Sequence, residues 1–261
     1  MLNKFAAGWR IQRRVIGALM IRELTTRFGR ENIGFLWVMV EPLLFAVLVG
    51  LIWRFMKGPE EHGVGIIAFI ATGYIPLTFF RNAVTRSVRI FAANGSLMYH
   101  RQIKVLDFVL VRCLIEGIGA MMAFVVIAIA LIALGEFPIP YDMGEIVAGW
   151  LLYWLFTLSL CLILAPLSEV SEVYEKLLPV TTYIMIPFSG AFTMQSWLTP
   201  AAGAFLYYSP FVHGMELIRE GVFGPVIDAR WDPTVPLAAS MVLGLIGLAL
   251  CRNIRRHLVV E

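Results

Sequence analysis

Charge is what this sequence has little of. Only 15% of its 261 residues are Asp, Glu, Lys or Arg, while 59% are hydrophobic and the mean hydropathy is +0.80. Soluble domains carry about 25% charged residues, so a water-soluble fold is excluded and an integral membrane protein is implied. Cysteine is scarce too. Cys113, Cys161 and Cys251 stand singly in apolar stretches, as small packing residues do, which argues against a disulfide framework. His62, His100, His213 and His257 are scattered without metal-ligand spacing. No G-x-x-x-x-G-K-[ST] run is present, so ATP is not expected to bind in the P-loop manner, and no Ser-His-Asp or Cys-His arrangement suggests catalysis. A cleavable signal peptide is not expected either, because the first 30 residues hold seven Lys or Arg and no compact apolar core.

What is present is organised around Met20 to Trp53. A basic flank with Arg22, Arg27 and Arg30 passes without a linker into an apolar run from Ile33 to Phe55. An α-helix rises ~1.5 Å per residue, so about 20 residues cross the ~30 Å hydrocarbon layer. Glu41 and Pro42 interrupt the run, and a carboxylate beside a helix-breaker is expected to pack on protein, not lipid. The same reading predicts an all-α fold with six crossings, at 33–56, 66–84, 106–134, 146–167, 177–192 and 235–251. Residues 1–32 form a cytosolic amphipathic interface region, and 33–261 a single six-helix transmembrane domain. Lys and Arg are retained on the cytoplasmic side. The hydrophilic parts carry fifteen on one side and four (Arg54, Lys57, Arg219, Arg230) on the other, which places both termini in the cytoplasm.

Local patterns add detail. Residues 9–20 wind as an amphipathic helix, with Ile11, Val15, Ile16, Leu19 and Met20 opposite Arg10, Arg13 and Arg14. After Met20 the apolar stripe moves to Ile21, Leu24 and Phe28, which predicts a kink or a change of partner from bilayer surface to protein. Arg112 and Glu116, four apart, are spaced to pair. Trp150, Tyr153 and Trp154 suit the headgroup level. Glu169, Glu172 and Glu175 form an acidic cytosolic turn that is able to meet Arg10, Arg13 and Arg14, unless these face lipid or a partner. Residues 197–232 are too polar to span and too apolar for a free loop. They read as two re-entrant half-helices, the second with Ser209 as N-cap, Pro210 in its first turn and a Gly224-Pro225 stop.

Three motif blocks lie at membrane boundaries: Ile21-Arg22-Glu23, Thr26-Arg27-Phe28-Gly29, Gly34-Phe35-Leu36-Trp37 and Glu41-Pro42; then Asn94, Leu97, Arg101, Lys104 and Asp107; then Pro210, His213, Glu216, Arg219 and Glu220. On these the chain resembles the permease subunit of bacterial type-2 ABC exporters, and most closely the KpsM-type permease for capsular polysaccharide. The resemblance covers essentially the whole chain. One departure is that residues 101–106 lack the family's prolines, with Gln102 and Val105 in that stretch instead.

The resemblance implies a homodimer in the bacterial inner membrane that exports a lipid-linked, acidic capsular polysaccharide. Two copies of a cytosolic P-loop ATPase would bind ATP and Mg, this chain holding no cofactor. Periplasmic and outer-membrane export proteins would continue the path, with membrane lipid around it and no nucleic acid involved. An interface helix would carry Arg10, Arg13, Arg14, Arg22 and Glu23, and a coupling helix Asn94, Leu97, Met98, Tyr99 and Arg101. Aromatic rings stack on sugar faces, which nominates Tyr74, Trp150, Tyr153, Tyr207 and Tyr208 for the pathway. His213, Glu216, Arg219 and Glu220 form the gate, the last three through subunit pairing, since a charge at membrane depth needs a partner. Other cargoes for the same architecture are O-antigen, teichoic acid or a drug. A membrane-embedded enzyme on lipid-linked substrates would need an acid, base or metal cluster that the sequence does not offer.

Overall fold

The computed structural model describes residues 2–28, 34–98 and 102–258. Tyr99 and Arg101 lie outside the described residues, as do the side chains of the Gly34–Trp37 block, Glu41 and Pro42. The elements in order are α1 (Leu2–Phe28), α2 (Gly34–Lys57), a hairpin of β1 (Glu60–Glu61) and β2 (Val64–Gly65), α3 (Ile66–Ser87), α4 (Gly95–Met98), α5 (Val105–Ala133), α6 (Met143–Val170), α7 (Glu172–Ile184), α8 (Pro200–Tyr207), α9 (Pro210–Phe223) and α10 (Thr234–Leu258). Apart from the short hairpin the fold is all-α. Among the described residues four helices are long and apolar enough to cross a membrane: α3, α5, α6 and Thr234–Ile254 of α10.

The four differ in what surrounds them. Of the most apolar stretch of α3, 83% of residues are buried inside the chain, against 22% for α10. Helix α3 is therefore the central post. It packs against α2, α5, α6, α7 and α9. Helix α10 lies against α6 and leaves Met241, Val242, Leu245 and Ile246 exposed, as suits a lipid-facing surface, where apolar side chains need no protein cover.

Glycine allows a close crossing. Along α6 and α9 a Cβ on Gly149 would sit 2.7 Å from the Gly214 carbonyl oxygen, and one on Gly221 would sit 2.7 Å from the Asp142 carbonyl oxygen. The two backbones touch, as small residues allow between membrane helices. The Asp142 amide seals the contact by donating to the Gly221 carbonyl at 2.8 Å, while the Asp142 carboxylate caps α6 by accepting from the Gly144 amide at 2.6 Å.

Several sequence expectations change here. Helix α1 runs unbroken from Leu2 to Phe28. Its Val15, Ile16, Leu19, Met20 and Leu24 pack on the protein core while Ile11 and Ile21 stay exposed, so most of the first apolar stripe faces protein instead of bilayer. The segment expected at 177–192 becomes α7, which starts at Glu172 because the Ser171 hydroxyl caps it by accepting from the Val173 amide, followed by a 3-10 turn at Ile186–Phe188. Ser209 does precede α9, but its hydroxyl donates to the Phe188 carbonyl at 2.6 Å and makes no cap bond.

Candidate functional site

Two polar clusters lie toward opposite ends of α5 and α6. The first joins α1, the segment 88–98 and the start of α5. Arg112 of α5 pairs with Glu23 of α1 at 2.9 Å, and Arg22 donates to the Asn94 side-chain oxygen at 2.7 Å. Asn94 is itself pinned by donating to the Ile90 carbonyl at 2.8 Å. Gln12 donates to Asp107, whose second oxygen accepts from the Lys104 amide at 2.9 Å and closes the first turn of α5. Glu116, deeper in α5, pairs with Arg86 of α3 at 3.4 Å. Arg112 and Glu116 thus each find a partner on another helix, beyond the i, i+4 pairing their spacing suggested.

The acidic turn after α6 holds the same segment from the other side. Glu169 accepts from the Phe91 and Ala92 amides at 2.9 and 3.0 Å, and the Ser168 hydroxyl accepts from the Arg89 amide at 3.0 Å. Glu175 pairs with Arg89 at 3.4 Å. Arg89 has φ +50°, a left-handed backbone that a non-glycine residue keeps only where such bonds hold it. Within the chain the acidic turn therefore meets this segment. Arg10, Arg13 and Arg14 are exposed on α1. Leu97 and Met98 of α4 pack partly on the core, while Ala92, Ala93 and Ser96 are exposed.

The second cluster is built on α9. Arg219 is 0% exposed, and its two terminal guanidinium nitrogens are hydrogen-bonded while Nε is buried without a partner. It donates to the carbonyls of Gly190 at 2.7 Å, Thr193 at 3.0 Å and Ala191 at 2.5 Å, and lies 3.9 Å over the Phe69 ring. Gly73 of α3 makes room, since a Cβ there would collide with the Ala191 carbonyl and lie 2.6 Å from the guanidinium. Glu216 is equally buried and accepts from the Gln195 amide at 2.7 Å and from the Arg230 amide. Glu220 accepts from the Trp231 indole. Glu216, Arg219 and Glu220 each find partners within one chain.

His213 closes a clip beside them. The Asp232 amide donates to Nδ1 at 3.0 Å, so Nδ1 carries no proton and Nε2–H donates to the Tyr207 carbonyl at 2.7 Å. The Tyr207 hydroxyl donates to the Asp232 carboxylate at 3.1 Å. Hydrogen bonds from the Thr234 hydroxyl and amide hold that carboxyl below its usual range. Tyr207 is thus a tie within the clip, and its neighbour Tyr208, 78% exposed, is the freer ring. Tyr74, Trp150 and Tyr153 are buried core residues, Trp150 and Tyr153 lying among Phe79, Phe124 and Phe211. Among the described residues no group of three His, Cys, Asp or Glu is placed to hold a metal.

Residue chemistry alone did not reveal the Glu169 and Ser168 bonds or the Gly149, Gly214 and Gly221 crossing. The seven-residue spacing of Gly214 and Gly221 was the available signal, because it returns to one helix face after two turns.

Comparison with known proteins places this arrangement. The family pattern described as ABC-2 type transporter matches residues 14–223. The chain is 41% identical over 240 residues to the capsule polysaccharide export inner-membrane protein CtrC of Neisseria meningitidis serogroup B, covering 92% of this chain and 91% of that protein. It is 34% identical over 249 residues to BexB of Haemophilus influenzae, of the same description, covering 95% and 94%. It is 26% identical over 254 residues to the polysialic acid transport protein KpsM of Escherichia coli, covering 95% and 96%. By that match and those likenesses the chain belongs to the ABC-2 type transporter family of membrane proteins.

Proposed function

We propose that this chain is the transmembrane subunit of an ATP-driven exporter that moves capsular polysaccharide, lipid-linked and acidic, across the bacterial inner membrane. The observation that carries the substrate class is the likeness, over more than nine-tenths of the chain, to proteins named for capsule export. Two copies form the pathway, and a separate P-loop ATPase binds beneath. Helices α2 and α7 complete six crossings, both termini are cytosolic, and the segment 197–232 dips into the membrane from outside. Aromatic rings such as Tyr208 then offer stacking surfaces that hold sugar weakly enough to slide.

The bonds at both ends of α6 support a transmission route. At the proposed cytosolic end Ser168 and Glu169 grip the segment leading to α4, where the ATPase docks. At the other end α6 is fastened to α9 through Asp142 and Gly221. A push on the 88–98 segment then tilts α6 and α9 as one body, which opens or closes the outer mouth. The test is reconstitution in vesicles with the P-loop ATPase that co-purifies with the chain. Acidic polysaccharide is expected to cross only when ATP is supplied. Transport that ignores ATP, or a chain that retains no ATPase through purification, contradicts the proposal.

A further inference from the structure

One cation stands apart from the paired charges. Arg81 lies on α3 six residues before its last residue, Ser87, which is about 9 Å along the axis. The basic residues that follow it are neutralised, Arg86 by Glu116 and Arg89 by Glu175, each at 3.4 Å. Among the described residues Arg81 has no carboxylate within ion-pair reach, and its Nε is buried without a hydrogen-bond partner. What it does have is an aromatic ring: its guanidinium carbon sits 4.1 Å from the ring centroid of Tyr183 on α7. Arg81 is half-buried and Tyr183 is 58% exposed, so the pair is reachable from outside the chain.

A ring face orients a guanidinium but leaves its full charge in place. A charge at such depth is retained where it meets something of opposite sign. The planar fork of arginine matches a carboxylate or a phosphate. We infer that Arg81, held by Tyr183, is an oxyanion-binding site for the acidic groups borne by the exported chain. This rests on the export reading above. Phospholipid phosphates and the acidic groups of the cargo share this oxyanion chemistry, and the lipid comparison below separates the two sources. A single unneutralised cation also suits a polyanion that has to keep moving, because Arg86 and Arg89 add no second unpaired charge nearby.

The test uses the complete permease–ATPase complex in vesicles of phosphatidylcholine. Two probes are compared, an oligosaccharide with one carboxylate per sugar and the same chain with its carboxyls reduced to alcohols. The reading is the ratio of ATP-driven transport rates, acidic over reduced. Arg81→Gln is expected to lower that ratio about tenfold, and Tyr183→Leu about twofold, since a stacked ring contributes less than the charge itself. Should the glutamine variant fail to assemble, Arg81→Lys, which keeps the charge and loses the fork, is expected to give an intermediate ratio. An unchanged ratio in a complex that still moves both probes overturns the site and leaves the export reading standing. So does a loss seen only when phosphatidylglycerol replaces part of the neutral lipid, which assigns the anion to lipid. So too does a defect repaired by adding Glu41→Gln, because Glu41 stands seven residues into α2, about 10 Å from its start and at comparable height. A wild-type complex that moves neither probe with ATP overturns the export reading, and this inference with it.

Discussion

Arg219 and Arg112 are both guanidinium groups enclosed by helices of one chain, and they are held in different ways. Arg219 is gripped by three backbone carbonyls from 190–193. Those oxygens belong to the main chain and cannot rotate away, so the group is anchored wherever that backbone goes. Arg112 is held by the Glu23 side chain, next to Arg22 and Asn94, around a cavity of only 10 Å³. Side-chain pairs exchange partners by rotamer changes, which leaves α1 able to shift against α5 without leaving a buried charge unpaired. The α9 cluster is built as a fixture and the α1–α5 cluster as a joint.

Removing the fixture gives the largest expected effect. Arg219→Met strands three carbonyls, two of them buried, each buried unpaired group costing about 1–3 kcal/mol. The variant is expected to lose its folded form on mild heating in detergent, and a melting temperature within a degree of wild type would remove the anchor role. Gly149→Ala comes next. Its new methyl meets the Gly214 oxygen and the Ile218 amide near 2.7 Å, so α6 and α9 have to part at about 1–3 kcal/mol, the usual cost of overpacking. Thermal unfolding is again the readout, and an unshifted midpoint would show that the two helices are not in backbone contact.

Changes at the 88–98 segment and at the joint are expected to cost less stability and more coupling. Glu169→Ala frees the Phe91 and Ala92 amides at about 1 kcal/mol, as for a lost cap, yet should lower the amount of cargo moved per ATP hydrolysed. Equal transport per ATP would mean that the 88–98 segment does not act through α6. Glu23→Gln is the mildest, because the amide oxygen still accepts from Arg112 and only about 1 kcal/mol is lost, and circular dichroism melts should overlay wild type. A large drop in melting temperature would make the Arg112 pair a fixture as well and erase the contrast.

Much of this fold is legible in residue order. Apolar runs mark α3, α5 and α6 and the start of α10 within a few residues, and Ser209-Pro210 with Gly224-Pro225 brackets α9. The reason is that crossing length and helix termini are local properties. The partners of buried charges are not local. Glu216 and Arg219 read as subunit-pairing residues because a charge at membrane depth needs a partner, and no pattern reveals that the partners are main-chain groups at 190–195 and 230. Tyr74, Trp150 and Tyr153 read as interfacial or cargo-facing rings, but burial depends on which helix covers them, and α9 and α5 do so. The isolation of Arg81 emerges only once Arg86 and Arg89 are seen to be paired.

Spin-label distances during turnover test the contrast most directly. One pair of labels at Val147 and Val226 spans α6 and the turn after α9, and a second at Ile21 and Ile118 spans α1 and α5, all at exposed positions. Each pair is placed on a single labelled chain within the intact complex with its ATPase. Between resting and ATP-trapped states, the first distance distribution is predicted to stay unchanged while the second shifts. A shift in the Val147–Val226 distance with the Ile21–Ile118 distance unchanged would contradict the account, because α6 and α9 would then not move as one body.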